Sequence, residues 1–158
     1  TVKILKAAYY HKGAAVCEIL QNCMIFNNGC YEPVYTREGR KKNAIYVEDG
    51  KPLVFGENNE YGLVQDGFGL KVVEIGKDGY TIDDILIHDS HNPDNTLQLK
   101  LAMMDNEHGF PVALGVIRDV EAPTYDEAVN AQIEEVKAKK PYHNFTELLE
   151  TNDIWEVK

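Results

Sequence analysis

Three cysteines carry the most distinctive chemistry in this sequence, and their spacing sets them apart from one another. Cys17, Cys23 and Cys30 stand six and seven residues apart, and no Cys-x-x-Cys pair occurs in the 158 residues. An odd, widely spaced set argues against the disulfide framework of a secreted domain and against a self-contained metal site. Cys23 differs from the other two in its neighbours. Gln21-Asn22-Cys23-Met24-Ile25-Phe26-Asn27-Asn28-Gly29 sets it among amides and backbone-permissive residues, directly after the apolar run over residues 14–20. A thiol just past the carboxyl end of a buried strand lies where open α/β sheets place their ligands. Residue types alone leave two roles open. One is a structural cysteine; the other is the fourth thiolate of an iron–sulfur cluster whose remaining ligands lie upstream.

Five histidines offer a second source of chemistry, but only His88-Asp89-Ser90-His91 brings two of them close together. A small metal hydrolase could be built on those imidazoles and Asp89. The preferred reading is a polar loop whose Asp89 and Ser90 cap the following helix. A Ser-His-Asp hydrolase is discarded, because triad members are brought together by folding and no Gly-x-Ser-x-Gly elbow is present. Phosphate loops are absent too, and Asp66-Gly67-Phe68-Gly69 has no helix behind it. The basic run Arg37, Arg40, Lys41 and Lys42 is taken as a solvated loop, with contact to an anionic cofactor or acidic protein as the alternative. Trp155 is read as a packing anchor.

The elements that must position these residues follow from periodicity. Apolar Val2, Leu5, Ala8 and Tyr9 make a helical stripe over residues 1–11, stopped at Gly13. Residues 14–20 are almost wholly apolar, as in a parallel strand covered on both faces. Asp49-Gly50 between residues 43–48 and 51–55 signals a β-hairpin. Residues 57–69 are rich in turn formers and read as a loop, followed by strands over 70–75 and 82–88. Asn92-Pro93-Asp94-Asn95 precedes a helix over 96–104 with Leu97, Leu101 and Met104 on one face. A strand over 110–117 leads to Thr124-Tyr125-Asp126-Glu127, a capping box opening a long helix through Lys139. Pro141 breaks it, residues 145–150 add helical turns, and Ile154-Trp155-Glu156-Val157 packs the tail.

Composition excludes several function classes. Asp and Glu total 26 against 16 Lys and Arg, for a net charge of −10 and a pI near 4.9, which disfavours nucleic acid as a partner. No apolar run reaches the roughly 20 residues that cross a bilayer, so a membrane role is not expected and the chain reads as cytoplasmic. It opens within a helix and has no initiator Met, which suggests a fragment of something longer.

Several strings, in order along the chain, resemble one family. They are the Cys23 string above, Ile85-Leu86-Ile87-His88-Asp89, Phe110-Pro111-Val112-Ala113-Leu114-Gly115-Val116, Thr124-Tyr125-Asp126 and Ile154-Trp155-Glu156-Val157. Together they look like the C-terminal part of the β subunit of 2-oxoacid:ferredoxin oxidoreductases, closest to the 2-oxoglutarate type. The resemblance implies a thiamine diphosphate- and Mg²⁺-dependent enzyme that decarboxylates a 2-oxoacid, passes electrons through a [4Fe–4S] cluster to ferredoxin and forms acyl-CoA from coenzyme A. It implies that Cys23 is the fourth cluster ligand and that an α subunit is the partner. The family's upstream Cys-x-x-Cys region and its Gly-Asp-Gly followed by Asn have no counterpart here, so the isolated chain is expected to be inactive and to bind no cofactor by itself.

The expected fold is therefore α/β. Residues 1–30 would end a thiamine diphosphate-binding domain with a helix and a parallel strand, and residues 31–158 would form a mixed α+β extension with a β-hairpin. The rival reading is a noncatalytic acidic module that binds a protein partner through its charged surface and hairpin.

Overall fold

The structure is a computed structural model describing residues 1–150 and 155. It divides into two compact units: Thr1–His11 with Ala15–Val120, and Lys12–Ala14 with Glu121–Lys158.

In the first unit, helix α1 (Val2–Tyr10) forms where the apolar period predicts it. The covered face is not the expected one, however. Val2, Leu5 and Tyr9 are exposed, and the half-buried positions are Ile4, Ala7, Ala8 and His11. These follow the i, i+3, i+4, i+7 rule one step round the helix. A long-range bond fixes that choice: His11 Nδ1 lies 2.7 Å from Asp119 Oδ1.

Residues 31–42, a polar stretch expected to be a surface excursion, instead form two short helices, α2 (Glu32–Tyr35) and α3 (Arg37–Asn43), the second running on into Asn43. The Thr36 hydroxyl accepts from the Gly39 N–H to cap α3, and Arg40, Lys41 and Lys42 occupy its last turn, where the helix dipole favours cations.

Strand β1 (Ala44–Val47) pairs in parallel with β5 (Val112–Gly115), Ala44 opposite Val112 through Val47 opposite Gly115. The chain thus has its parallel pairing and belongs to the α/β class, but the pairing falls elsewhere than expected. Residues 14–20 are not in a strand: they have no regular secondary structure, with Val16 97% and Ile19 63% exposed. A strand of this composition needs neighbours on both edges and cover on both faces, and the described residues supply neither.

A three-stranded antiparallel sheet in the order β2-β3-β4 joins β2 (Val54–Phe55), β3 (Tyr61–Asp66) and β4 (Gly69–Glu74). A β-hairpin is therefore present, but it is β3 and β4 around Gly67 and Phe68 and not the expected one between residues 43–48 and 51–55. Asp49-Gly50 does turn the chain, with Gly50 at φ +69°, yet the strands on either side go to different sheets. Residues 57–69, expected as a loop, contain all of β3. Residues 82–88 begin as a 3₁₀ turn over Ile82–Asp84 and then run antiparallel to residues 50–53. Gly50 N–H donates to His88 O at 2.8 Å, His88 N–H to Lys51 O at 2.9 Å and Leu53 N–H to Leu86 O at 2.8 Å.

Between these layers lies the core, built from Ile45, Val47, Leu53, Phe55, Leu63, Val64, Val73, Ile85, Leu101 and Met104. Helix α4 (Thr96–Met103) contributes Leu97, Leu101 and the adjacent Met104, as its stripe predicts. In the second unit, helix α5 (Tyr125–Lys139) opens on the expected capping box, Thr124 and Glu127 bonding each other's backbone N–H. Helix α6 (Phe145–Leu149) follows, capped by Asn144. The tail lies outside the described residues except for Trp155, which is 81% exposed and so is not a packing anchor among them.

Candidate functional site

Cys23 sits in a tight loop built by its asparagines. Asn22 Nδ2 donates to Asn28 Oδ1 at 2.9 Å, Gly29 N–H donates to Asn22 Oδ1 at 2.8 Å, and Asn27 N–H returns to Cys23 O at 3.0 Å. The loop turns the backbone N–H of Phe26 onto Cys23 Sγ at 3.5 Å. Backbone donation from Phe26, then Ile25 and Asn27, holds the Cys23 thiol below its ordinary value. The thiolate is the form that binds metal, so this loop favours the ligating state of the sulfur. Cys23 is half-buried, whereas Cys17, expected to be buried mid-strand, is exposed, as is Cys30. Around the thiol stand Met24, Ile25 and Phe26, 81%, 86% and 91% exposed, an apolar rim on an acidic chain.

The histidine segment folds differently from both of its sequence readings. His88 is fully buried and donates Nε2–H to the Val116 carbonyl at 2.9 Å, leaving Nδ1 without a partner. His91 donates Nδ1–H to the Asp119 carbonyl at 2.6 Å, which raises its pKa, as do the nearby carboxylates of Asp49, Asp119 and Asp89. Ser90 is buried and gives both its N–H and its hydroxyl to Asp49 Oδ1, at 2.8 and 2.9 Å, holding the Asp49 carboxyl below its usual range. Neither Asp89 nor Ser90 caps α4; Asp94 Oδ1 accepts from Thr96 N–H at that end. The His88-to-His91 segment is thus a polar clasp between the turn at Asp49 and the segment after β5. Gln98 and Arg118 complete it: buried Gln98 donates to Asp89 O at 2.9 Å, and Arg118 donates to Gln98 Oε1 at 2.5 Å. No three His, Cys, Asp or Glu side chains converge as a metal site among the described residues. Asp49 had signalled only a turn, and its bond to Ser90 spans 41 residues, so no local pattern marks it.

Over 157 residues the chain is 36% identical to the 2-oxoglutarate oxidoreductase subunit KorB of Mycobacterium tuberculosis. The chain is a relative of KorB. The match takes in 98% of this chain and 41% of KorB, so the chain spans less than half the length of this relative. The family resemblance drawn from five short strings is thereby extended to nearly every residue. No family model matches, and no solved structure matches. As for the membrane, none of the described helices is long and apolar enough to cross one.

Proposed function

We propose that this chain is part of the β subunit of a 2-oxoacid:ferredoxin oxidoreductase. In this reading the enzyme oxidatively decarboxylates 2-oxoglutarate to acyl-CoA and CO₂ with reduction of ferredoxin, in the cytoplasm, together with an α subunit. The observation that carries it is the similarity to KorB along 98% of the chain. Cys23 is assigned as the fourth ligand of a [4Fe–4S] cluster, the other three thiolates coming from outside these residues. Its loop fits that role: the bond from Phe26 N–H favours the thiolate, and hydrogen bonds to ligating sulfur are one means of setting a cluster's potential. The cluster, when bound, supplies one-electron transfer. Thiamine diphosphate and Mg²⁺ belong to the whole subunit, and no donor set for them is recognisable in this sequence.

Residues 1–30 in this reading close the thiamine diphosphate-binding domain, and residues 31–158 are its extension. Exposed Val16 and Ile19 then pair and pack with strands supplied by the rest of the subunit. The decisive experiment uses a full-length subunit of the KorB type carrying this sequence, expressed with its α subunit. Cys23→Ser lowers bound iron, removes the visible absorption of thiolate-bound iron and abolishes ferredoxin reduction. Unchanged iron content and activity remove Cys23 from the cluster.

A second reading, a noncatalytic acidic interaction module, draws on the β3–β4 hairpin, whose tip residue Phe68 is 99% exposed. Loss of iron in Cys23→Ser excludes that module as the whole function.

A further inference from the structure

Beside β1 the structure holds an open cleft of about 420 Å³, within the range that receives small-molecule ligands. Its floor is one face of a strand and its continuation: Ala44, Tyr46 and Glu48 alternate with Ile45 and Val47, which point into the core. Two sources of positive charge converge on it. Arg40 and Lys41 enter from the last turn of α3, and Lys51 from the far side of the Asp49-Gly50 turn. The helix dipole accounts for cations in α3, but not for Lys51.

This charge is only loosely held. Arg40 Nε donates to the Thr36 carbonyl at 3.4 Å and Lys41 meets Glu57 at 3.4 Å, both between exposed groups, while the Lys51 ammonium has no partner among the described residues. Glu48, the acid in the lining, is occupied by Lys3 at 3.1 Å. A net positive cleft on a chain of net charge −10 runs against the composition, and cations gathered along one cleft raise the local concentration of anions there. Beside them Tyr46 is 61% exposed, an aromatic face presented to the same space.

We propose that this cleft binds a nucleotide, its phosphates between Arg40, Lys41 and Lys51 and its base against Tyr46. The inference stands independently of the role given to Cys23. The test is calorimetric titration of the 158-residue chain with ADP, adenosine and pyrophosphate at low ionic strength. One-site saturable ADP binding is expected, with adenosine and pyrophosphate each at least about tenfold weaker, because charge and stacking act together. The double variant Arg40→Ala/Lys51→Ala weakens ADP at least about tenfold, as does Tyr46→Ala. Lys51→Gln changes an exposed side chain with no hydrogen bond among the described residues, so it folds and weakens ADP while leaving the circular dichroism unchanged. Absence of saturable ADP binding, pyrophosphate binding as tightly as ADP, or a Lys51→Gln variant that binds ADP as tightly as the parent overturns the proposal.

Discussion

Gly62 gives the sharpest check on the packing described for the first unit. It lies in β3 between Val54 and Val73, buried beneath Ile85. A Cβ at this position would collide with Ile85 Cδ1 and lie 2.8 Å from Cγ1 and 3.2 Å from Cγ2. Rotating the end of the side chain clears the first contact but not the other two, and Ile85 is only 3% exposed. Gly62 does not have a positive φ, so alanine carries no backbone strain there and gains about 0.4–1 kcal/mol from the stiffer unfolded chain. Overpacking costs about 1–3 kcal/mol and outweighs that gain in a core this tight. Gly62→Ala is therefore expected to lower stability by about 1–2 kcal/mol, read from equilibrium urea unfolding followed by circular dichroism. Ile85→Ala alone costs about 2–5 kcal/mol. It removes Cδ1, Cγ1 and Cγ2, however, so in the Gly62→Ala background it should cost clearly less than it does alone. Two effects that simply add, within about 0.5 kcal/mol, would refute the contact and with it the placement of residues 85–88 over β3.

Two further predictions concern titration. The Asp49 carboxyl, held below its usual 3.8 by the Ser90 N–H and hydroxyl, stabilises the fold fully above that value and loses the contribution as pH falls through its depressed pKa. Asp49→Asn should flatten the acid side of the urea-midpoint profile, and a slope identical to the parent's counts against the Asp49–Ser90 bond. Cys23 should show half-maximal alkylation, followed by peptide mass spectrometry, below the usual thiol value of 9.0, because Phe26, Ile25 and Asn27 N–H groups stabilise its thiolate. A midpoint at or above 9.0 contradicts the loop geometry.

What the sequence revealed depended on how local the governing interaction was. The α5 capping box lies within four residues, so Thr124 and Glu127 announce it unaided. The asparagines around Cys23 likewise mark a turn that their own side chains build. Strand β3 was hidden because Gly62 belongs there for want of room beside Ile85, and a glycine required by distant packing looks like one required by a turn. Asp49-Gly50 signals its turn correctly, but β1 finds its partner in β5, 68 residues onward at every paired position, so turn chemistry could not assign the pairing. His88, Ser90, Gln98 and Arg118 meet only when several segments come together; in isolation His88 suggested a metal ligand and Ser90 a cap, and nothing local marked Gln98 or Arg118.

The segment over residues 14–20 also bears on the chain as a substance. Its Val16 and Ile19 side chains are exposed, and no backbone bond among the described residues joins it to another segment. An open edge of this composition templates pairing with any similar edge it meets. Two copies of the chain can therefore pair through this run, and concentration decides how often they do. Yield and solubility hang on whether that run is covered.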